Sequence, residues 1–254
     1  MQRNIRLWVD QKISAKVSIA LKDEQSHYLT NVMRCNNNDT ISCFNQNDGE
    51  YLAKIISANK SKTILEILQQ TAKPHKEMDI WLMFAPLKKD RTDFVIEKAV
   101  ELGVAKILPI ITERTNSSHI KTERFVSQAI EASEQCGRLS VPNIAQPADL
   151  YQILNHWDEN RILYFMDERR NGSCAEKVFR ESGNKPCAIL IGPEGGFSDK
   201  EAEFIHQITF VKNIQLGPRI LRAETAAMAS LAVWQAVSGD WQNKGVIDEN
   251  TYCR

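Results

Sequence analysis

Two segments in the last third of the chain set glycine turns beside charged side chains, the combination from which a small-molecule site with an adjacent reacting group is built. The first, residues 189–201, reads ILIGPEGGFSDKE: an apolar run enters Gly192-Pro193-Glu194-Gly195-Gly196, and Ser198 then opens a helix. Glycine permits positive φ and lets backbone approach a ligand closely. The second, residues 214–229, reads IQLGPRILRAETAAMA: a Gly217-Pro218 turn leads past Arg219 and Arg222 to Glu224 and a helix of small residues. A cation at a helix N-terminus opposes the helix dipole, so two arginines there point to an anionic partner or a reacting group. The spacing is neither GxGxxG nor GxxxxGK followed by Ser or Thr, which disfavours dinucleotide-binding and P-loop readings.

Loops of this kind need strands to deliver them. Residues 161–166, 187–191 and 211–216 are apolar runs of the sort found in buried parallel strands. Ser198 followed by Glu201 forms a capping box at the start of one helix, and Glu224–Val237 reads as another. Upstream, 79–85 and 106–111 read as strands, while 92–102, closed by Gly103, and 122–136, ended by Gly137, read as helices. This alternation predicts an α/β domain with a largely parallel sheet. The first seventy residues differ. Short alternating segments at 4–9, 40–45, 51–58 and 63–68 are separated by turns at 36–39, 47–49 and 59–62, with one short helix at 26–33. That is a small β-barrel pattern, and Thr71–Glu77 reads as the linker. The expected domains are therefore 1–72 and 73–254.

The 254-residue chain is 43% hydrophobic and 25% charged, ordinary for a globular protein. No stretch is long and apolar enough to be a signal peptide or a membrane span, so a cytoplasmic protein with no membrane partner is expected. Six cysteines are scattered without CxxC pairs or Cys/His clusters, so neither disulfides nor a metal is expected. Cys136, between Glu134 and Arg138, is the one to weigh as a nucleophile, although a small residue on a helix face explains it more simply. Formal net charge is zero, so any phosphate contact must come from a local patch.

The two glycine motifs in tandem, GPEGGFSDKE and LGPRILRAETA, resemble the SPOUT methyltransferases, and most closely the ribosomal RNA small-subunit methyltransferase E family. LKKDRTDFVIEKAVELGV (87–104), ITERTN (111–116), EASEQCGR (131–138) and HYLTNVMR (27–34) extend the resemblance over nearly the whole chain. Two departures fall near the N-terminus: Asn36-Asn37-Asn38-Asp39 stands where the family has Gly-Asp, and Met33 where it has Leu.

The resemblance implies a trefoil-knotted α/β domain preceded by a PUA-like RNA-binding barrel, working as a homodimer. It implies S-adenosylmethionine (SAM) as cofactor, held by Leu190, Ile191, Gly192, Glu194, Gly195, Gly196, Leu216, Gly217, Ile220, Leu221, Thr225 and Ala226. It implies transfer of methyl to N3 of a uridine in 16S ribosomal RNA of the small ribosomal subunit. Uracil N3 carries a proton and must lose it to become a nucleophile, so positive charge beside the carbonyls and a proton acceptor are needed. Arg222 or Arg138 would supply the first, and Glu224 or Glu134 the second. Arg6, His27, Arg34, Lys88, Arg91 and Arg114 are the candidate RNA contacts. Alternatives are another RNA target, including a ribose 2′-oxygen, and a non-enzymatic RNA-binding or ribosome-assembly factor.

Overall fold

The computed structural model describes residues 5–59, 62–115, 120–169 and 172–242, in two compact units. Asn4, Lys60, Ser61, Asn116 and Cys253, each part of a segment or motif considered above, lie outside the described residues. One unit takes in the chain as far as Glu77 together with Ala129–Val141; the other takes Met78–Gln128 and the chain from Pro142.

The first unit contains β1 (Arg6–Trp8), β2 (Ser18–Ala20), α1 (Asp23–His27), β3 (Thr40–Asn45), β4 (Gly49–Ser57) and β5 (Ile64–Ala72). The sheet order is β1-β3-β4-β5-β2, with β1 parallel to β3 and the other pairs antiparallel. Register shifts along β4–β5 mark bulges, which bend a sheet and help it close round a core. Leu7, Leu29, Ile41, Ile55, Leu65 and Ile67 fill that core. The turn into β4 is built by Asn45, whose Oδ1 accepts from the amides of Asn47 and Asp48, and ends at Gly49 with φ +88°. A Cβ there would stand 2.2 Å from the carbonyl oxygen of Ala72, so only glycine fits.

The short helix expected at 26–33 is instead α1 running into a π-helical turn over Tyr28–Val32, where the amide of Met33 donates to the carbonyl of Tyr28. β5 continues to Ala72, so the expected linker begins inside a strand. Asn38 adopts φ +74°, the left-handed region that glycine favours and asparagine tolerates. The departure from Gly-Asp thus leaves the turn intact.

The second unit holds β6 (Ile80–Phe84), α2 (Lys89–Glu101), β7 (Lys106–Ile111), α3 (Thr122–Cys136), β8 (Asn143–Ile144), β9 (Ala148–Asp149) and α4 (Leu150–Asn155). It continues with β10 (Ile162–Met166), β11 (Ser173–Cys174), α5 (Ala175–Ser182), β12 (Cys187–Ile191), α6 (Asp199–His206), β13 (Val211–Gln215) and α7 (Ala223–Ser238). The last turns of α3 belong to the first unit. All pairings in the main sheet are parallel, in the order β11-β13-β10-β12-β6-β7-β8.

Helices cover both faces of this sheet. Leu163, Phe165 and Leu190 pack with Leu150 and Leu154 of α4 and with Ala202 and Ile205 of α6. Tyr164, facing the other way, meets Phe179 of α5 edge to face at 4.8 Å, and α7 packs against both α2 and α5. This two-sided burial explains why the strands read as continuous apolar runs.

Candidate active site

Strand register places the C-terminal ends of β10, β12 and β13 side by side, Phe165 opposite Leu190 and Met166 opposite Ile214. From β10 the chain runs out to β11, returns to add β12 on the other flank of β10, then crosses back to set β13 between β10 and β11, so the order reverses at β10. Such a reversal opens a crevice beyond the carboxyl ends of the strands. Here it is a cleft of about 420 Å³, within the roughly 300–1,000 Å³ typical of small-molecule sites.

Three strand ends line it: Met166-Asp167-Glu168 after β10, Ile191–Glu194 with Phe197 after β12, and Ile214–Gly217 with Arg219–Ala223 after β13. Arg91 of α2 and Ala226 of α7 complete the wall. Among the described residues, the amides of Leu216, Gly217, Ile220 and Leu221 donate to no backbone acceptor. Ser198 accepts from the amide of Glu201 and Glu201 from that of Ser198, the capping box at the start of α6.

Residues 73–235 match the family of RNA methyltransferase domains, and residues 21–68 that of RNA methyltransferase PUA domains. The ribosomal RNA small subunit methyltransferase E of Rickettsia conorii is 32% identical over 228 residues, 89% of this chain and 93% of that protein. The chain belongs to the ribosomal RNA small subunit methyltransferase E family. The Bacillus subtilis member is 29% identical over 91% of this chain and 95% of its own length. The Neisseria gonorrhoeae member, solved bound to S-adenosyl methionine, superposes with a TM-score of 0.84 at 27% identity, covering 94% of this chain and all of that one. A Legionella pneumophila methyltransferase solved with bound SAM also gives a TM-score of 0.84, at 30% identity over 93% of this chain and 98% of that one.

Of the residues that resemblance to the methyltransferase E family suggested for the cofactor, Ile191, Gly192, Glu194, Leu216, Gly217, Ile220, Leu221 and Ala226 line the cleft. Leu190 is buried in the core behind it, and Gly195, Gly196 and Thr225 are not in its wall. Gly196 has a different task. At φ +68°, its added Cβ would stand 1.8 Å from Oε1 of Glu168, so the missing side chain makes room for that carboxylate. Gly195 has open space around it apart from the Arg114 side chain at 3.6 Å. The stretch Met166-Asp167-Glu168 was missed by sequence reasoning because it contains no glycine. Its signal was an apolar strand ending abruptly in two acids.

Arg222 occupies the N-cap of α7 in extended conformation, and its side chain caps no amide. It does not pair with Glu224. Glu224 lies 3.7 Å from Arg91 Nε, while Arg91 Nη1 donates to Glu194 Oε1 at 2.7 Å. Arg91 therefore joins the glycine loop to the first turn of α7. Among the described residues Arg219 and Arg222 form no ion pair. Burial against the wall holds the Glu168 carboxyl above its ordinary range; Arg169 and Arg114 oppose that rise, and Asp167 adds to it.

The other candidates sit in the first unit. Arg6 uses every donor internally, Nε and Nη2 to Glu50, Nη1 to the carbonyls of Ser133 and Glu134, and Nη2 also to that of Arg138. A guanidinium has five N–H donors, so none remains for phosphate. Glu134 accepts from the amide of Trp8 at 2.9 Å. Burial pushes its carboxyl up to about 7, against the lowering effects of the Trp8 amide and Arg6, with Glu131 adding to the rise. Arg138 is buried against Ser140 Oγ and Glu77. His27 and Arg34 are exposed on either side of the π-helical turn, and Arg34 has φ +56°. In the second unit Lys88 is exposed, and Arg114 donates to the carbonyl of Gly195 at 2.8 Å. No group of three or more potential metal ligands occurs among the described residues, and no helix there is long and apolar enough to cross a membrane.

Proposed function

We propose that the protein is an SAM-dependent methyltransferase that modifies N3 of a uridine in 16S ribosomal RNA of the small subunit, in the cytoplasm, as a homodimer. The observation that carries this reading is the cleft at the β10 reversal, bounded by both glycine motifs and lined by Arg219 and Arg222, which form no ion pair among the described residues. Its residues suit the cofactor. Ile191, Phe197, Ile214 and Leu221 offer apolar wall for an adenine ring, and the unbonded amides of the 216–221 turn offer donors for ring nitrogens. When bound, the cofactor supplies a methyl group on a cationic sulfur.

The protein's part is alignment and charge. Uracil N3 has an acidity of phenolic order, with a pKa of roughly 10. Arg222, in the cleft wall and in no ion pair among the described residues, stabilises the negative charge that develops on the uracil carbonyls as the proton leaves. Glu224, two residues after Arg222 in the first turn of α7, is the assigned proton acceptor. Methyl transfer to N3 would need alignment more than covalent help, and the strand-end loops that line the cleft would supply it. Residues 1–72 act as the RNA-docking domain through His27 and Arg34, and 73–254 as the catalytic and dimerising domain, with Lys88 at its surface. Arg6, Arg138 and Glu134 hold the first unit together and take no part in chemistry.

The test is to map modified nucleotides in ribosomal RNA from a strain lacking the gene, then restore them with purified protein and SAM. Loss and recovery of one N3-methyluridine is the expected result. An unchanged modification map, or restoration of a 2′-O-methyl group, would overturn the assignment.

A further inference from the structure

The cleft wall carries charges of both signs. At the end of its central strand, β10, stand two carboxylates. Asp167 is only 4% exposed, and its Oδ2 is enclosed without a hydrogen bond. Nε2 of the His206 ring lies 3.3 Å from that oxygen. Its other oxygen accepts from the amide of Arg169. Glu168 lies beside it, its carboxylate placed over the glycine loop in the space that Gly196 leaves open. Arg219 and Arg222, after the neighbouring strand β13, line the same cleft. The remaining carboxylate in the wall, Glu194, is matched by Arg91.

A buried carboxylate oxygen with no donor is costly unless a cation or donor arrives to meet it. We infer that Asp167 and Glu168 form the subsite that recognises the positive sulfur of SAM, and that they discriminate SAM from its demethylated product. The inference rests on the proposed function and deepens it. SAM and S-adenosylhomocysteine share the adenosine, the α-ammonium and the α-carboxylate. They differ only in the methyl group and the charge on sulfur. When the methyl leaves with its bond broken towards sulfur, the sulfonium becomes a neutral thioether. The two carboxylates then lose their partner, so the reaction itself weakens the hold on product.

The test is calorimetry on the full chain with three probes: SAM, S-adenosylhomocysteine and sinefungin, which carries an amine where SAM carries its methyl. Native protein should bind all three. Glu168→Gln keeps the side-chain shape on an exposed residue and should lower SAM affinity on the order of tenfold, beyond the few-fold worth of an exposed ion pair. Sinefungin should weaken with SAM, whereas S-adenosylhomocysteine should stay within about twofold. Asp167→Asn should act in the same direction; if it fails to fold, Glu168→Gln decides alone. Equal losses for SAM and S-adenosylhomocysteine, or no loss for either, would overturn this inference while leaving the proposed function standing. Native protein that binds none of the three would overturn both.

Discussion

Arg222 stands where helices ordinarily place Ser, Thr, Asp or Asn, whose oxygens accept from the first free amides. An arginine can accept nothing there, and its charge opposes the dipole of α7. With no internal ion pair found for it, that unfavourable position is explained by the substrate it meets. Arg222→Ala should therefore slow single-turnover methyl transfer by roughly 10²–10³-fold, with SAM affinity unchanged by calorimetry. Lysine should restore only part of the rate, since a point charge does not reproduce a two-pronged contact. Raising the pH should help the alanine variant more than native protein, because solvent then ionises N3 unaided. A defect lying wholly in cofactor affinity would make Arg222 a binding residue instead. The neighbouring glycines make a paired test. Gly195→Ala meets open space and should leave SAM affinity within about twofold. Gly196→Ala must hold a left-handed φ, at about 1–2 kcal/mol, and push Glu168 aside. It should lower both the melting temperature and SAM affinity. Equal behaviour of the two variants would show that Glu168 is not seated over Gly196.

The capping box of α6 is where local sequence and tertiary structure meet. Glu201 is fully buried, and besides closing the box its Oε1 accepts from the amide of Glu113 at 2.8 Å. One carboxylate thus holds the start of α6 and the loop after β7 together. Glu201→Ala would leave the amides of Ser198 and Glu113 without their acceptor, at about 1–3 kcal/mol for the buried Ser198 amide alone, and should lower the melting temperature well beyond the effect of Ser198→Ala. Similar losses for both would limit Glu201 to capping. The box itself was legible because it is a four-residue pattern, and so were β3, β7, α3 and β12, whose boundaries match their sequence periodicity. β2, β8, β9 and β11 were not, since strands of two or three residues carry no period and exist only through their partners. Glu134 and Arg138 show a related limit of sequence reading. Their motif carries charge, but only the fold shows that the charge is bonded to Trp8, Ser140 and Glu77. Glu134 also gives a pH test. A carboxyl raised to about 7 contributes stability that is present at low pH and lost as pH rises through that value. Glu134→Gln retains an oxygen for the Trp8 amide and carries no charge. Its melting temperature should match native protein below about pH 4 and exceed it near pH 8, and parallel profiles would show that Glu134 ionises freely in the fold.

For the whole molecule, two features lay beyond the reach of pattern. The trefoil knot that the SPOUT resemblance implies is one, because general rules for chain connection exclude it and the sequence offers only the return from β12 across β10 to β13. The other is the division of the chain. A boundary at residue 72 separates two compositions, but the first unit also recruits Ala129–Val141, with Arg6 bonded to three carbonyls there. Deleting 1–72 would strip that segment of its partners, so truncation is a poor test of RNA docking. Point substitution is better. If RNA is held by phosphate contacts, the logarithm of the binding constant should fall linearly with the logarithm of salt concentration. Each contact removed should reduce that slope by about one. Arg34 is exposed, stands in a left-handed conformation that costs an ordinary residue energy, and bears its charge at the end of the π-helical turn. Arg34→Ala should therefore flatten the salt dependence by about one unit and weaken RNA binding, with SAM binding untouched. Lys88→Ala asks the same of the second unit, and Arg6→Lys should change stability but not the slope. A slope unmoved by Arg34→Ala but reduced by Lys88→Ala would place RNA docking on the catalytic unit and leave the N-terminal sheet with another role.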